Sequence, residues 1–154
     1  MSKSLKKSVP NLKVKKLSPE SKLPQRAYNS PAGIDLFAAK RVRIPSHNKA
    51  VVPTGLAFEI PEGYFMKIWD KSGVATKAEI TISVRAGVID SDYRGEVGIV
   101  IANTGEMPVL IEAGMKLAQG VMMEKLEYEI EEVTELSETV RGDKGFGSSD
   151  EQTK

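Results

Sequence analysis

Short runs of apolar residues alternate with polar turn segments along most of this chain. The turns are rich in Gly, Pro, Asn and Asp and recur about every 8–12 residues, which is the spacing of strands in a β-sandwich or barrel. Apolar runs bounded by such turns predict β-strands. The predicted strands lie at 12–17, 42–44, 50–52, 56–60, 64–69, 86–89, 97–101, 109–111 and 112–123. We therefore expect an all-β fold in a single domain.

Two further segments carry less clear patterns. Residues 72–77 are the one window that favours helix, and only for a turn or two. Residues 126–140 are rich in Glu, and Tyr128, Ile130 and Val133 indicate a last edge strand whose acidic face is solvated.

The segment 86–98 combines an apolar run, a polar turn and the start of a second β-prone run, which predicts a β-hairpin with a long loop. The loop carries Asp90, Asp92, Tyr93 and Arg94. Asp, Ser and Gly alone make a good turn, so a purely structural role is one interpretation. A turn has no need of Tyr93, however. An aromatic ring beside carboxylates suits a site that holds a ring or sugar while a carboxylate handles a proton.

The composition narrows the possible chemistry. The 154 residues are 40% hydrophobic, enough for one core, and 22 basic residues nearly balance 21 acidic ones. Such a balance does not indicate a nucleic-acid or membrane-surface partner. The chain has no cysteine, which excludes disulfides, thiolate nucleophiles and cysteine-based zinc sites. The single histidine, His47, lies in a predicted exposed turn, so a general base would be Asp or Glu.

Location and termini follow from similar reasoning. No apolar run is long enough to span a membrane and the N-terminus lacks a signal-peptide core, so we expect a cytoplasmic protein. Residues 1–10 contain several lysines and predict a disordered basic tail.

Four shorter features each allow two interpretations. Asp35 interrupts an apolar run, either as a functional carboxylate or on the polar face of a half-buried strand. The Ser-Gly step within 70–75 suits an anion cradle or an ordinary turn. Gln119 is an amide in an apolar strand, satisfied or functional. Residues 141–150 place Phe146 between glycines, which suits a lid over a ligand or a frayed tail.

Taken in order, the segments 32–39, 70–75, 87–98, 114–120 and 141–149 resemble the five motifs of the trimeric dUTP pyrophosphatase (dUTPase) family. The resemblance implies a β jelly-roll domain at 11–140, preceded by the tail and followed by a flexible arm at 141–154 that closes the active site. It also implies a homotrimer in which each active site is shared between subunits.

The implied reaction is hydrolysis of dUTP to dUMP and pyrophosphate, which supplies dUMP and keeps uracil out of DNA, with Mg²⁺ bound to the triphosphate. By this resemblance Asp90 is the base that activates water, Tyr93 packs under the deoxyribose, and Asp35 acts on the metal through water. No protein group is expected to ligate the metal directly. Substrate-binding roles are implied for Gly87, Val88 and Ile89 at uracil's edge, and for Lys71, Ser72, Gly73 and Gln119 at the phosphates. Arg141, Ser148 and Ser149 are implied to contact the γ-phosphate, Phe146 to stack over uracil, and Gly147 to be a further substrate-binding residue.

The chain departs from the family pattern in three places. Lys71 replaces the usual arginine before Ser-Gly and provides a point charge without a bidentate fork. Lys144 replaces a glycine before Phe146, and Asp150 stands where a glycine is common.

Three other functions are alternatives to dUTP hydrolysis. A dCTP deaminase with the same fold would carry a catalytic glutamate where this chain has Val100. A nucleotide-binding regulator without turnover is favoured only by Lys71. A nucleic-acid-binding β-domain would need clustered basic and aromatic residues, whereas aromatics make up 6% of this nearly neutral chain.

Overall fold

The computed structural model describes residues 9–26, 32–70, 82–84 and 87–143. Within these ranges the regular structure consists of strands, and no helix is long and apolar enough to cross a membrane. The helical turn predicted at 72–77 lies outside the described residues, as do residues 1–8 of the predicted tail. In chain order the strands are β1 (Lys13–Lys16), β2 (Gly33–Phe37), β3 (Val42–Ile44), β4 (Asn48–Pro53), β5 (Leu56–Glu59), β6 (Tyr64–Asp70), β7 (Ile82–Val84), β8 (Val88–Ile89), β9 (Gly98–Asn103), β10 (Val109–Ile111) and β11 (Lys116–Glu124).

All strand pairs are antiparallel. One sheet has the order β2-β11-β6-β8 and a second has the order β4-β9-β7, while β1 pairs with β5 and β3 pairs with β10. In β10 the side chains alternate between a buried and an exposed face, as in a regular strand, whereas three consecutive residues are buried in β2 and in β5. The resulting core includes Leu36, Ile44, Val52, Leu56, Phe58, Met66, Ile68, Ile99, Ile101, Ile111 and Leu117.

Most predicted strands are confirmed to within about two residues at their ends. The last one is wrong at its start: β11 begins at Lys116, four residues later than predicted, because a turn closed by the hydrogen bond from the Met115 N–H to the Glu112 carbonyl at 3.1 Å precedes it. Two strands were less apparent from the sequence. β2 contains the acidic Asp35, which obscures the apolar pattern. β7 is short and follows a segment without a clear turn signal.

The predicted hairpin at 86–101 is wrong in its pairing. β8 pairs with β6, whereas β9 lies between β4 and β7 in the other sheet. The loop 90–97 therefore crosses from one sheet to the other. At its end the Val97 N–H donates to the Leu56 carbonyl at 2.8 Å, and the Val97 carbonyl accepts from the Thr54 N–H at 3.1 Å. A loop of this length is long enough to leave the first sheet, so the two apolar runs find different partners.

The edge strand predicted at 126–140 is also wrong for the single chain. β11 ends at Glu124, and residues 125–143 form no strand. The apolar alternation is present, yet Leu126, Tyr128 and Ile130 are 80%, 77% and 91% exposed. A strand needs a neighbouring strand for its backbone hydrogen bonds, and no strand in the described part of this chain lies beside the segment. Its glutamates are exposed to solvent, as predicted.

Candidate active site

The loop 90–97 is held by hydrogen bonds that fix its shape. The Tyr93 N–H donates to the Asp90 carbonyl at 3.2 Å, which closes a tight turn. The Tyr93 hydroxyl donates to the Glu96 carbonyl at 3.0 Å. The Glu96 carboxylate in turn accepts the Gly55 N–H at 2.8 Å, which ties the loop to the chain between β4 and β5. Asp90 is exposed on this braced loop, directly after β8.

Gly95 allows the Tyr93 ring to lie against the loop backbone. A Cβ atom at residue 95 would lie 2.4 Å from the Tyr93 Oη and 2.6 Å from its Cζ. These distances are well inside van der Waals contact, so a residue with a side chain cannot occupy this position while the ring stays in place. The ring is 45% exposed, and it therefore presents a free surface to a ligand.

Two cavities open on either side of Asp90. The smaller has a volume of about 180 Å³ and the larger about 520 Å³. Asp90 and Val88 line both cavities. The smaller cavity is also lined by Ile89, Tyr93, Glu96, Val97 and Gly98, and the larger by Tyr64, Phe65, Ser91, Asp92 and Lys125.

The backbone of β8 has one side available to a ligand. The Ile68 N–H donates to the Gly87 carbonyl at 2.9 Å, so residue 87 faces β6. In an antiparallel pair the residues alternate between facing the partner strand and facing away from it. The N–H and carbonyl of Val88 therefore point away from β6, and β8 is the end strand of its sheet. Of the three predicted uracil-reading positions, Val88 has the free backbone groups, while Gly87 and Ile89 face β6.

A second group of predicted site residues lies at the other side of the same sheet. Asp35 on β2 is directly opposite Gln119 on β11. Asp35 is 3% exposed, and its Oδ2 lies 2.9 Å from the Nζ of Lys116. Gln119 is half-buried, and its Oε1 would lie 3.1 Å from a Cβ at Gly33, so its amide is packed closely beside β2. The interpretation of Asp35 as a residue on a half-exposed polar face does not hold, because the carboxylate is buried and ion-paired.

The two groups do not meet within one chain. Asp35 is in the row of Gln119 and Trp69, whereas Ile89 lies opposite Met66, three residues away from Trp69 on β6. β2 and β8 are three strand spacings apart, about 14 Å, and the offset adds about 10 Å along the strands, so the Cα atoms of Asp35 and Ile89 are separated by roughly 17 Å. The chain thus presents two half-sites at opposite edges of one sheet.

Of the other predicted substrate-binding residues, the structure describes Arg141 alone. Arg141 is exposed at the end of the C-terminal segment. Lys71, Ser72, Gly73, Phe146, Gly147, Ser148 and Ser149 lie outside the described residues.

Two residues of the site were not singled out from the sequence. Glu96 fixes the loop through Gly55, a contact between distant parts of the chain that no local pattern reveals. Lys116 stands three residues before Gln119, and in a regular strand that spacing puts two side chains on opposite faces. A register shift in β11 between Lys116 and Ala118 instead puts the Lys116 and Gln119 side chains on the same face of the sheet.

The half-site at Asp35 is compatible with a metal that arrives bound to a nucleotide. No cluster of three or more His, Cys, Asp or Glu side chains that could hold a metal occurs among the described residues. A single buried carboxylate beside an amide can bind the water shell of Mg²⁺, which keeps several of its waters when it is bound through substrate phosphates. The donor set therefore fits an indirect contact from Asp35.

The strands and the loop after β8 thus position a carboxylate and a phenol in the lining of one cavity, an arrangement that suits an all-β enzyme. A family model described as dUTPase matches residues 19–150, and the chain belongs to the dUTPase family. This confirms the resemblance stated from the sequence motifs. The jelly-roll fold class and the assignment to an enzyme family are confirmed with it.

Individual relatives cover most of the chain. The deoxyuridine 5'-triphosphate nucleotidohydrolase of Solanum lycopersicum is 43% identical over 142 residues, which are 92% of this chain and 83% of the relative. The protein of the same name from Clostridium tetani is 43% identical over 138 residues, or 90% and 95% of the two chains.

Solved structures agree with these relatives. The dUTPase of Staphylococcus bacteriophage 80alpha with dUpNHpp has a TM-score of 0.82 and 33% identity, covering 90% of this chain and 97% of that one. A mutant dUTPase from phage phi11 of S. aureus, whose structure reveals the coordination of a structural Mg(II) ion, has a TM-score of 0.74 and 30% identity, with coverage of 81% and 97%.

Proposed function

We propose that this protein hydrolyses dUTP to dUMP and pyrophosphate, with Asp90 as the general base. The observation that carries the proposal is the shape of the loop 90–97. It presents an exposed carboxylate, a half-exposed phenol ring and the free backbone groups of Val88 around one small cavity. Membership of the dUTPase family, which includes relatives named deoxyuridine 5'-triphosphate nucleotidohydrolase, supports dUTP as the substrate.

Each of these groups has a defined task in the proposed reaction. The Val88 N–H and carbonyl read one edge of uracil, because a base with the opposite donor and acceptor order leaves buried polar groups unpaired. The Tyr93 ring packs against the deoxyribose and leaves no room for a 2′-hydroxyl. Asp90 orients a water molecule toward the α-phosphorus and takes its proton, a role that a carboxylate within hydrogen-bond reach can perform.

The half-site at Asp35 is proposed to face the triphosphate. Mg²⁺ arriving with the nucleotide would neutralise phosphate charge. Asp35 would hold the ion indirectly, through water, and Gln119 would donate to a phosphate oxygen from the neighbouring strand. Lys71, Ser72 and Gly73, which follow β6 in the sequence, would also bind the phosphates. Arg141 and the residues after it would close over the nucleotide as an arm.

We propose that the active enzyme is a homotrimer with shared sites. A single chain separates Asp35 from the Asp90 loop by roughly 17 Å, a distance estimated from strand spacing. One nucleotide contacts both groups most simply when they come from different copies. The exposed apolar side chains of residues 126–140 support this, because a surface of that kind is typical of a contact with another chain.

Pyrophosphate release in the presence of Mg²⁺ tests the proposal, with dUTP, UTP, dTTP and dCTP as substrates. We expect dUTP to be strongly preferred. Asp90→Asn should lower kcat by about 10²–10⁴-fold with little change in nucleotide binding, since it removes a general base and keeps the shape. Asp92→Asn removes a neighbouring loop charge and serves as the matched control, with a much smaller effect. Near-normal turnover of Asp90→Asn would contradict the assignment of the base, and formation of dUTP from dCTP would indicate a deaminase.

A further inference from the structure

An irregularity in β11 brings Lys116 to the same side of the sheet as Asp35. Lys116 is opposite Phe37 and Gln119 is opposite Asp35, so three steps along β11 match two steps along β2. The extra residue is a β-bulge between Lys116 and Ala118. A bulge changes which face the following side chains occupy, and bulges are common where a strand must re-aim a side chain near an active site.

The bulge has a visible consequence for burial. Leu117 and Ala118 are adjacent in sequence, yet both are buried in the core, at 1% and 0% exposure. Lys116 and Gln119 consequently point to the opposite face, where Asp35 and Phe37 lie. The ammonium group of Lys116 reaches the Asp35 carboxylate at 2.9 Å and lies 6.0 Å from the centre of the Phe37 ring.

This ion pair joins a buried group to an accessible one. The Asp35 side chain is 4% exposed, and that of Lys116 is 46% exposed. A buried carboxylate is unfavourable unless a cation or hydrogen bonds compensate for lost hydration. The nearby ammonium group therefore offsets the lost hydration of the Asp35 carboxylate, while the solvent side of the ammonium group remains open.

We propose that Lys116 is a positioning residue, which holds the Asp35 carboxylate in the orientation that receives the Mg²⁺–triphosphate. The inference rests on the proposed function, because it gives a role to a residue behind the proposed metal contact. Groups that orient a carboxylate near a metal typically change metal affinity by about 10–100-fold when they are lost. We expect the same range here.

The test measures binding of the analogue dUpNHpp over a series of Mg²⁺ concentrations. Trp69 is the single tryptophan of the chain and lies opposite Gln119 in the sheet, so its fluorescence reports on this half-site. Lys116→Met keeps the aliphatic stem and removes the charge. We expect its half-saturating Mg²⁺ concentration to rise about tenfold or more. Lys116→Arg, which restores a cation, should return it close to the wild-type value.

Lys22 supplies a matched control. Its ammonium group lies 5.5 Å from the centre of the same Phe37 ring and 3.4 Å from the Gly114 carbonyl. Lys22→Met therefore removes a cation from the same ring without removing the Lys116–Asp35 pair, and its Mg²⁺ dependence should match the wild type. Binding of dUMP, measured by calorimetry, should be unchanged in Lys116→Met, because dUMP carries no triphosphate. A merely structural role for Lys116 would weaken dUMP and analogue binding together.

The outcomes separate the two proposals. Absence of Mg²⁺-dependent analogue binding in the wild type would overturn the proposed function. Normal wild-type binding, with Lys116→Met equal to the wild type in its Mg²⁺ dependence, would overturn the role of Lys116 alone. If Lys116→Met fails to fold, the double variant Asp35→Asn/Lys116→Met removes both charges of the pair together. Its half-saturating Mg²⁺ concentration should match that of Asp35→Asn. A value about tenfold above that of Asp35→Asn would also overturn the inference.

Discussion

Replacing Gly95 by alanine tests whether Tyr93 is held as the structure indicates. The new Cβ would lie 2.4 Å from the Tyr93 Oη and 2.6 Å from its Cζ. Gly95 does not require a left-handed backbone, so the expected effect comes from this contact. Because the ring is 45% exposed, it can swing outward and does not have to compress the loop.

The magnitude follows from what the ring loses when it moves. The hydrogen bond from the Tyr93 hydroxyl to the Glu96 carbonyl contributes about 0.5–1.5 kcal/mol. Overpacking at a close contact typically costs about 1–3 kcal/mol, and a ring free to move falls in the lower part of that range. We expect Gly95→Ala to lower the free energy of unfolding by about 1–2 kcal/mol.

Urea unfolding at a fixed protein concentration, in two backgrounds, isolates the contact. In a Tyr93→Ala background there is no ring to displace, so Gly95→Ala should be neutral or stabilise by up to about 1 kcal/mol through reduced freedom of the unfolded chain. The sign of the effect should therefore change with the background. An equal loss of stability in both backgrounds would refute the reasoning, because it would show that the alanine disturbs the loop independently of Tyr93.

Three further outcomes are expected. Gly120→Ala should destabilise the protein by about 1–3 kcal/mol in urea unfolding, because its Cβ would lie 2.6 Å from the Sδ of the fully buried Met66; an unchanged midpoint would contradict the close packing of β11 on the core. Removal of residues 141–154 should leave a folded protein with nearly abolished dUTP turnover, and full turnover would reject the closing arm. The hydrogen bond from Arg41 lowers the pKa of the exposed Glu112 carboxyl, so the pair stabilises the protein above the ordinary pKa of glutamate and loses this contribution as pH falls through the lowered value. Glu112→Gln should accordingly melt slightly below the wild type at pH 7, and the difference should disappear as pH falls through the lowered pKa of Glu112. A difference that grows on acidification would contradict this sign.

The apolar pattern of the sequence was sufficient to locate most of the strands that pair within this chain. The strand predicted at 64–69 is observed as β6, in which Met66 and Ile68 alternate with less buried neighbours and lie in the core. The same pattern predicted a strand wrongly where the chain offers no neighbouring strand among the residues that the structure describes. Residues 126–140 have the alternation of a strand and remain exposed, since alternation records which face is apolar and carries no information on which strand covers it.

Pairing and register were the other source of error. The apolar runs on either side of 90–95 read as one hairpin, but the loop between them connects two sheets. The bulge in β11 inserts one residue into a strand that otherwise appears regular, and it changes the face of Lys116 without a signal at that position. The roles of Asp90 and Tyr93 were predicted from residue type and from the family motif, and they stay predictions. The structure shows that both residues lie on one loop and line the same cavity.

The most direct test of the account is whether the two half-sites come from different copies. Asp35→Asn and Asp90→Asn chains, each with its own purification tag, can be co-expressed and mixed trimers recovered by purifying on both tags in succession. In a ring of three such chains, one neighbouring pair combines an intact Asp35 with an intact Asp90, so mixed trimers should recover about one third of wild-type dUTP turnover. Turnover no higher than that of either parent variant, in a protein whose wild type is active, would contradict the shared site.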